Sequence, residues 1–136
     1  MICFIIFYMK DFENNAYFWQ KVDTLYSSGD FKVTNKKGTS HKAYPSLTYP
    51  CDYGFVKTLS NDAETPMEVF KNSEGKKVDA IALCADIINK KFEVKALVGL
   101  NEEETESVLR FLNCTDYQKT IIVYRGKNIP SWAETE

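Results

Sequence analysis

The segment "YPSLTYPCDYGF", Tyr44–Phe55, is the starting point for the fold, and the acidic segment "SNDAETPMEV", Ser60–Val69, follows it closely. The first segment combines tyrosine rings with Pro45 and Pro50, which restrict the backbone, and it lacks the apolar period of a helix. We therefore predict a long ordered loop over "KKGTSHKAYPSLTYPCD", with strands from Tyr53 onward. Two roles stay open for its rings: a rigid wall beside a site, or core packing, which we expect for Tyr44 and Phe55.

Strand-like sequence dominates after this loop, because short runs rich in β-branched and aromatic residues alternate with polar residues. We predict strands in "DFKVTN", "YGFVKTL", "MEVFKN", "KVDAIALCADI", "KFEVKALVGL" and "KTIIVYRG". The turns Ser-Glu-Gly and Asn-Lys-Lys between the middle runs favour hairpins, and hence a meander. The pattern predicts five or six antiparallel strands that form a small β-barrel or a strongly twisted sheet.

Two segments have helical character. The first, at about residues 14 to 26, begins with asparagines that can cap a helix and places Phe18, Val22 and Leu25 at helical spacing. The second, at 102 to 114, has acidic residues in its first turn, which the helix dipole favours. Its expected inner stripe comprises Val108, Leu109, Phe111 and Leu112. Strands with two flanking helices predict the α+β class.

Length and charge limit the possible functions. A chain of 136 residues is long enough to bury a core without cross-links, so we predict a single domain, 1–136. Its formal net charge of -2 gives no general attraction to nucleic acid, and we expect no nucleic-acid partner. The four cysteines form no CxxC pair. We interpret them as reduced small apolar residues of a cytoplasmic protein.

The two ends of the chain differ from the rest. The octamer "MICFIIFY", 1–8, is too short to cross a bilayer and lacks the basic start of a signal peptide, so no membrane association is expected. It is either an extra strand or an extraneous segment before a true start at Met9, and we favour the second interpretation. Residues 127–136 are expected to form a loose tail.

Carboxylates form the main candidate site. His41 is the only histidine, and no nucleophile elbow, P-loop or zinc-ligand spacing is present, so we expect His41 to be a polar loop residue rather than a catalytic one. Asp62, Glu64 and Glu68 lie within seven residues, with Pro66 between them. Oxygen ligands of this kind suit Mg²⁺. A solvated acidic turn is the alternative.

A basic loop lies on the other side of the aromatic segment. It contains Lys36, Lys37, His41 and Lys42 together with Gly, Thr and Ser. Ammonium groups, hydroxyls and backbone amides of such a loop can bind phosphate oxygens, although a plain exposed hairpin has the same composition. The combination of an acidic half and a basic half favours a site for a phosphate ligand with Mg²⁺.

The residues "YPCDYGFV" followed by "SNDAETPMEV" resemble the soluble family I inorganic pyrophosphatases, and most closely a short bacterial branch described as inorganic pyrophosphatase-like. The resemblance extends from about Lys36 to Val69 and more loosely through "FEVKALVG" to the second helix. The family fold is a small OB-like five-stranded barrel with helices packed against it. The resemblance also implies a homo-oligomer in the cytoplasm that uses Mg²⁺.

Site residues follow from this resemblance. It implies the metal ligands Asp62, Glu64, Glu68 and Glu93. It implies catalytic roles for Asp62, Glu64 and Tyr53, with a glutamate beside Asp62 as the general base. It implies substrate binding by Lys36, Lys37, His41, Lys42, Lys95, Tyr117 and Lys119.

The expected function is Mg²⁺-dependent hydrolysis of inorganic pyrophosphate, with a small phosphoanhydride as the substrate. Glutamates stand at two positions where the family has metal-binding aspartates. His41 or Lys42 stands where the family has an arginine, and neither side chain can form the bidentate contact with phosphate that an arginine forms. The alternative is therefore a pyrophosphatase-fold protein without full catalysis that binds phosphate or a nucleotide, or acts as an interaction module.

Overall fold

A computed structural model describes residues 14–57, 66–72 and 77–126. Its elements are helix α1 (Ala16–Ser27), strands β1 (Phe31–Asn35), β2 (Asp52–Val56), β3 (Met67–Lys71), β4 (Val78–Asp86) and β5 (Lys91–Val98), helix α2 (Glu102–Leu112) and strand β6 (Gln118–Tyr124). Both helices and all six strands lie where the sequence predicts them, and the α+β class is confirmed. Predictions for 1–8, for Asp62 and Glu64, for the Ser-Glu-Gly turn and for 127–136 lie outside the described residues.

The described strands form one mixed sheet in the order β1-β2-β3-β5-β4-β6. The prediction of a wholly antiparallel meander is wrong at one place, because β3 pairs with β5 in parallel and β4 lies beyond β5. The reason lies in β5, where residues 95–98 are all buried. A strand buried on both faces takes a central position rather than an alternating, half-exposed one. Among the described strands β1 and β6 are the two edges, so the sheet is open and not closed as a barrel.

Helix α1 covers part of one face of the sheet, called here the α1 face. Asn15 caps its start and accepts hydrogen bonds from the backbone amides of Tyr17 and Phe18. Trp19 and Val22 are the residues that pack into the sheet. The predicted stripe is therefore wrong for Phe18 and Leu25, which are 43% and 51% exposed. The bulkier Trp19 faces inward instead, where its indole donates to Asn14.

Helix α2 covers the opposite, or α2, face. Asn101 and Glu104 form a capping box at its start, as expected for a helix with acidic residues in its first turn. Thr105, Val108, Phe111 and Leu112 are its buried residues. Leu109 is half-buried, so the predicted stripe is correct for three of its four members. The loop between β1 and β2 also packs here, through Tyr49 and Cys51.

Further findings concern cysteines, aromatic rings and membrane spans. Cys51 and Cys84 are buried and Cys114 is exposed, and all three are free thiols. The core role expected for Tyr44 is wrong, because this residue is 38% exposed, whereas Phe55 is half-buried. No helix in the described ranges is long and apolar enough to span a membrane.

Candidate active site

Strand pairing places four polar side chains together on the α2 face. Glu68 on β3 is the direct neighbour of Lys95 on β5. Glu93 precedes Lys95 by two residues and therefore points to the same face of the sheet. Tyr53 comes from β2, opposite Phe70 of β3. We call Tyr53, Glu68, Glu93 and Lys95 the ionic cluster.

The ionic cluster is tightly connected. Lys95 Nζ donates to Glu68 Oε1 at 3.0 Å and lies 3.6 Å from Glu93 Oε2. The Tyr53 hydroxyl donates to the same Oε1 of Glu68, and Lys95 Nζ also lies 5.5 Å above the Tyr53 ring. The Lys95 side chain is only 8% exposed. A nearly buried ammonium is tolerated here because two carboxylates face it.

These contacts shift the ionisation of the cluster. Burial raises the pKa of Tyr53, and its hydrogen bond to the Glu68 carboxylate raises it further, so the hydroxyl stays protonated as a donor. Burial by itself also raises the pKa of Glu68. The Tyr53 hydroxyl and the Lys95 ammonium both donate to its carboxylate, outweigh this effect and lower the pKa of Glu68 to about 2. Glu68 is therefore an anion at neutral pH.

One side of the cluster opens into a hollow of about 260 Å³, the aromatic hollow. Its walls include His41, Tyr44, Tyr49, Tyr53, Phe111 and Tyr117, and its lining includes Lys91, Glu93 and Lys95. The Tyr44 and Tyr117 hydroxyls lie 2.7 Å apart and join the β1–β2 loop to the segment after α2. The rings of His41 and Tyr49 are nearly parallel, with centroids 5.9 Å apart.

The other side of the cluster opens into a second hollow of about 660 Å³, the proline hollow. Tyr53, Glu68 and Glu93 line it together with Pro66. Pro66 is the first described residue after residues 58–65, which the structure does not describe. Glu64, which lies outside the described residues, precedes Pro66 by two positions in the chain.

The predicted basic loop has a different position. Lys36, Lys37 and Lys42 are exposed, and none of them lines the aromatic or the proline hollow. The backbone amide of Lys37 donates to Asp52 Oδ1, at the start of β2. His41 does line the aromatic hollow. Its Nδ1 accepts from the amides of Ala43 and Tyr44, which fixes a turn of the loop.

Two late residues were also predicted to bind substrate. Tyr117 lines the aromatic hollow, whereas the exposed Lys119 is directed to the carbonyl of Thr115 at 3.3 Å. The structure thus brings together Tyr53, Glu68, Glu93 and Lys95, with His41 and Tyr117 nearby. The roles of all these residues in binding or catalysis stay predictions.

Sequence reasoning missed Lys91. Its Nζ lies 3.2 Å from Glu93 Oε1, and the residue lines the aromatic hollow. A hydrogen bond with Glu93 and the charge of that carboxylate raise the pKa of Lys91. The signal was present as the alternation Lys91, Glu93, Lys95, which places all three on one face of a strand.

Within the described residues no group of three or more His, Cys, Asp or Glu side chains is arranged to hold a metal ion. The predicted metal set is only half described, since Glu68 and Glu93 lie in the ionic cluster and Asp62 and Glu64 lie outside the described ranges. Mg²⁺ binding therefore stays a prediction.

Comparisons with known proteins add a distant likeness. No family model matches the sequence, and no curated protein matches it. Among solved structures, the inorganic pyrophosphatase of the bacterium Helicobacter pylori is similar to this chain with a TM-score of 0.48 and 14% sequence identity. The similarity covers 69% of this chain and 81% of that chain. A likeness of this size assigns neither family nor activity, and the α+β class rests on the helices and strands themselves.

Proposed function

We propose that the protein hydrolyses a small phosphoanhydride, with inorganic pyrophosphate as the first candidate and Mg²⁺ as the cofactor. One observation carries the proposal: Glu68 and Glu93 converge beside the proline hollow, and Pro66, which directly follows residues 58–65 in the chain, lines it with them. Four carboxylates, those of Asp62, Glu64, Glu68 and Glu93, would then face one open space.

The donor chemistry of this set suits the cofactor. Carboxylate oxygens are the ligands that Mg²⁺ prefers, and the ion keeps several waters and shares phosphate oxygens with its substrate. Glu68 is ionised at neutral pH, as a ligand must be. When bound, Mg²⁺ would lower the pKa of a coordinated water and neutralise charge on the phosphates.

The chain's own residues have distinct tasks in this proposal. Lys95 and Lys91 supply positive charge beside the carboxylates, where it can attract the phosphate anion. Tyr53 remains protonated and donates its hydroxyl proton to Glu68, which holds that carboxylate in position beside the hollow. Glu64 is our candidate for the general base that accepts a proton from the attacking water.

A second candidate is a phosphate- or nucleotide-binding protein without turnover. It is favoured by the ion pair of Lys95, which already neutralises Glu68 without any metal ion. In that case the ammonium would compete with a cation for the same oxygen. The two candidates differ in the rate at which phosphate is released from pyrophosphate.

Release of inorganic phosphate from pyrophosphate, with Mg²⁺ and with a chelator, tests the first candidate. We expect Mg²⁺-dependent turnover that Asp62→Asn lowers by at least about a hundredfold, because it removes a charged metal ligand. Glu106→Gln is the matched control, since Glu106 is exposed on α2 and pairs only with Arg110 among the described contacts. A rate no higher than background at saturating Mg²⁺ would exclude hydrolysis of pyrophosphate and favour the binding protein.

A further inference from the structure

The α1 face of the sheet is covered only in part. Its upper row, Ala96, Ile81 and Val123, packs with the core beneath α1. The next row, Val94, Leu83 and Ile121, is formed by direct neighbours across β5, β4 and β6. Helix α1 does not reach this second row, because Val94 is 52% and Ile121 62% exposed.

The exposed area continues below the second row. Phe92, two residues before Val94 and opposite Ala85, is 71% exposed. We call Leu83, Ala85, Phe92, Val94 and Ile121 the open patch. Single exposed apolar residues are ordinary, but a contiguous apolar area on one sheet face marks a binding surface. The patch lies on the opposite face of the sheet from the ionic cluster, and only its Phe92 and Val94 reach the wall of the proline hollow.

The chain itself offers a suitable occupant. Residues 2–8, "ICFIIFY", carry only apolar or aromatic side chains, and they precede the first described residue, Asn14. Asn14 is fixed beside the lower-numbered end of α1, where its Nδ2 donates to the carbonyl of Tyr124 at 2.7 Å. The amino-terminal segment therefore enters the described structure at the end of β6, the strand that contributes Ile121 to the open patch.

The connection is long enough. Ile121 precedes Tyr124 by three residues on an extended strand, a distance of about 10 Å. Residues 9–13 can span about 17 Å when extended. The tether also keeps the segment at a high effective concentration near the patch, which a separate molecule lacks. We propose that residues 2–8 pack on the open patch of the same chain and complete the α1 face, which makes them part of the folded chain and not the extraneous segment that the sequence alone favoured.

Disulfide trapping tests this proposal with the native Cys3. In a Cys114→Ser background, which removes the exposed thiol, Val94→Cys places a partner in the open patch. Leu25→Cys in the same background is the matched control, because Leu25 is 51% exposed against 52% for Val94 and lies on α1, closer to Cys3 in sequence. Mass spectrometry of alkylated, non-reduced protein and its peptides measures intramolecular bonds.

We expect the bond from Cys3 to form at least about tenfold faster with the cysteine at position 94 than with that at position 25, as a docked tether requires. Equal rates would overturn the proposal. Pairing of Cys3 with position 94 between two chains would overturn it as well and would identify a second copy as the occupant. If Val94→Cys does not fold by circular dichroism, Ile121→Cys takes its place.

An independent measurement uses the otherwise unchanged chain. Ile5→Asp places a charge in the amino-terminal segment without altering any described residue. We expect several-fold more fluorescence from a dye that binds exposed apolar surface, because the docked segment leaves the patch. Dye fluorescence equal to that of the parent chain would contradict the proposal.

Discussion

Glu68 and Lys95 are direct neighbours across the parallel pair of β3 and β5, and Lys95 Nζ lies 3.0 Å from Glu68 Oε1. The Lys95 side chain is nearly buried, whereas the Glu68 side chain is 31% exposed. The pair thus links the central strand of the sheet to the wall of the proline hollow. Stability and site chemistry both depend on it.

Lys95→Met should destabilise the protein by about 2 kcal/mol, because it leaves Glu68 and Glu93 facing each other without their shared cation. The loss is smaller than the roughly 3–5 kcal/mol of a fully buried broken pair, since water reaches Glu68. Lys91→Met is the control. Its side chain is 52% exposed, so we expect less than about 1 kcal/mol. Urea unfolding measures both, and equal losses would contradict the special role of Lys95.

The stabilising effect of Glu68 should depend on pH in a defined window. Its pKa in the folded protein, about 2, lies below the usual 4.5. A lowered pKa means that the ionised form stabilises the fold above the usual value, and that this contribution is lost as the pH falls through the folded value. We expect the difference in unfolding free energy between the parent chain and Glu68→Gln to be largest near neutral pH. It should shrink from about pH 4.5 towards pH 2.

Glu106→Gln is the control for this titration, because Glu106 is 66% exposed on α2. Its difference from the parent chain should stay small throughout. A difference for Glu68→Gln that is constant from pH 6 to pH 2 would argue against an ionised Glu68 in contact with Lys95.

Tyr53→Phe should cost about 1.5 kcal/mol of unfolding free energy, because it removes one hydrogen bond to a charged acceptor and leaves the ring packing intact. The raised pKa of Tyr53 provides a second readout. In an alkaline absorbance titration Tyr53→Phe should leave one tyrosine fewer un-ionised at high pH than the parent chain does before it unfolds. Tyr124→Phe, at a 60% exposed position, should change neither the unfolding free energy nor the number of tyrosines that stay un-ionised.

Mg²⁺ should raise the thermal unfolding temperature if the four proposed carboxylates form one site, since a ligand that binds only the folded state stabilises it. Asp62→Asn and Glu93→Gln should each reduce this increase, while Glu106→Gln should retain it. This measurement reports cation binding without turnover. An increase that survives in both site variants would place the Mg²⁺ effect elsewhere on the protein.

Local features of the site could be predicted from the sequence, but its assembly could not. The sequence shows that Asp62, Glu64 and Glu68 are close along the chain. It also predicts that Glu93 and Lys95, two residues apart on a strand, point to the same face. The contact between Glu68 and Lys95 is not, because it depends on which strand β3 chooses as its partner. The expectation that Glu68 and Lys95 belong to one site came from the resemblance to a known family. The composition of the basic loop also could not predict that Lys36, Lys37 and Lys42 are exposed and line neither hollow.

The sequence by itself determined the number, type and approximate ends of the helices and strands, because caps, turn residues and side-chain periods act within a few residues. Only the tertiary structure decided the order of the strands and the parallel pairing of β3 with β5. The turn residues favoured a meander, but burial of residues 95–98 on both faces made β5 central. The strand order depends on how apolar side chains are buried over the whole sheet, and the resulting pairing of β3 with β5 places Glu68 beside Lys95.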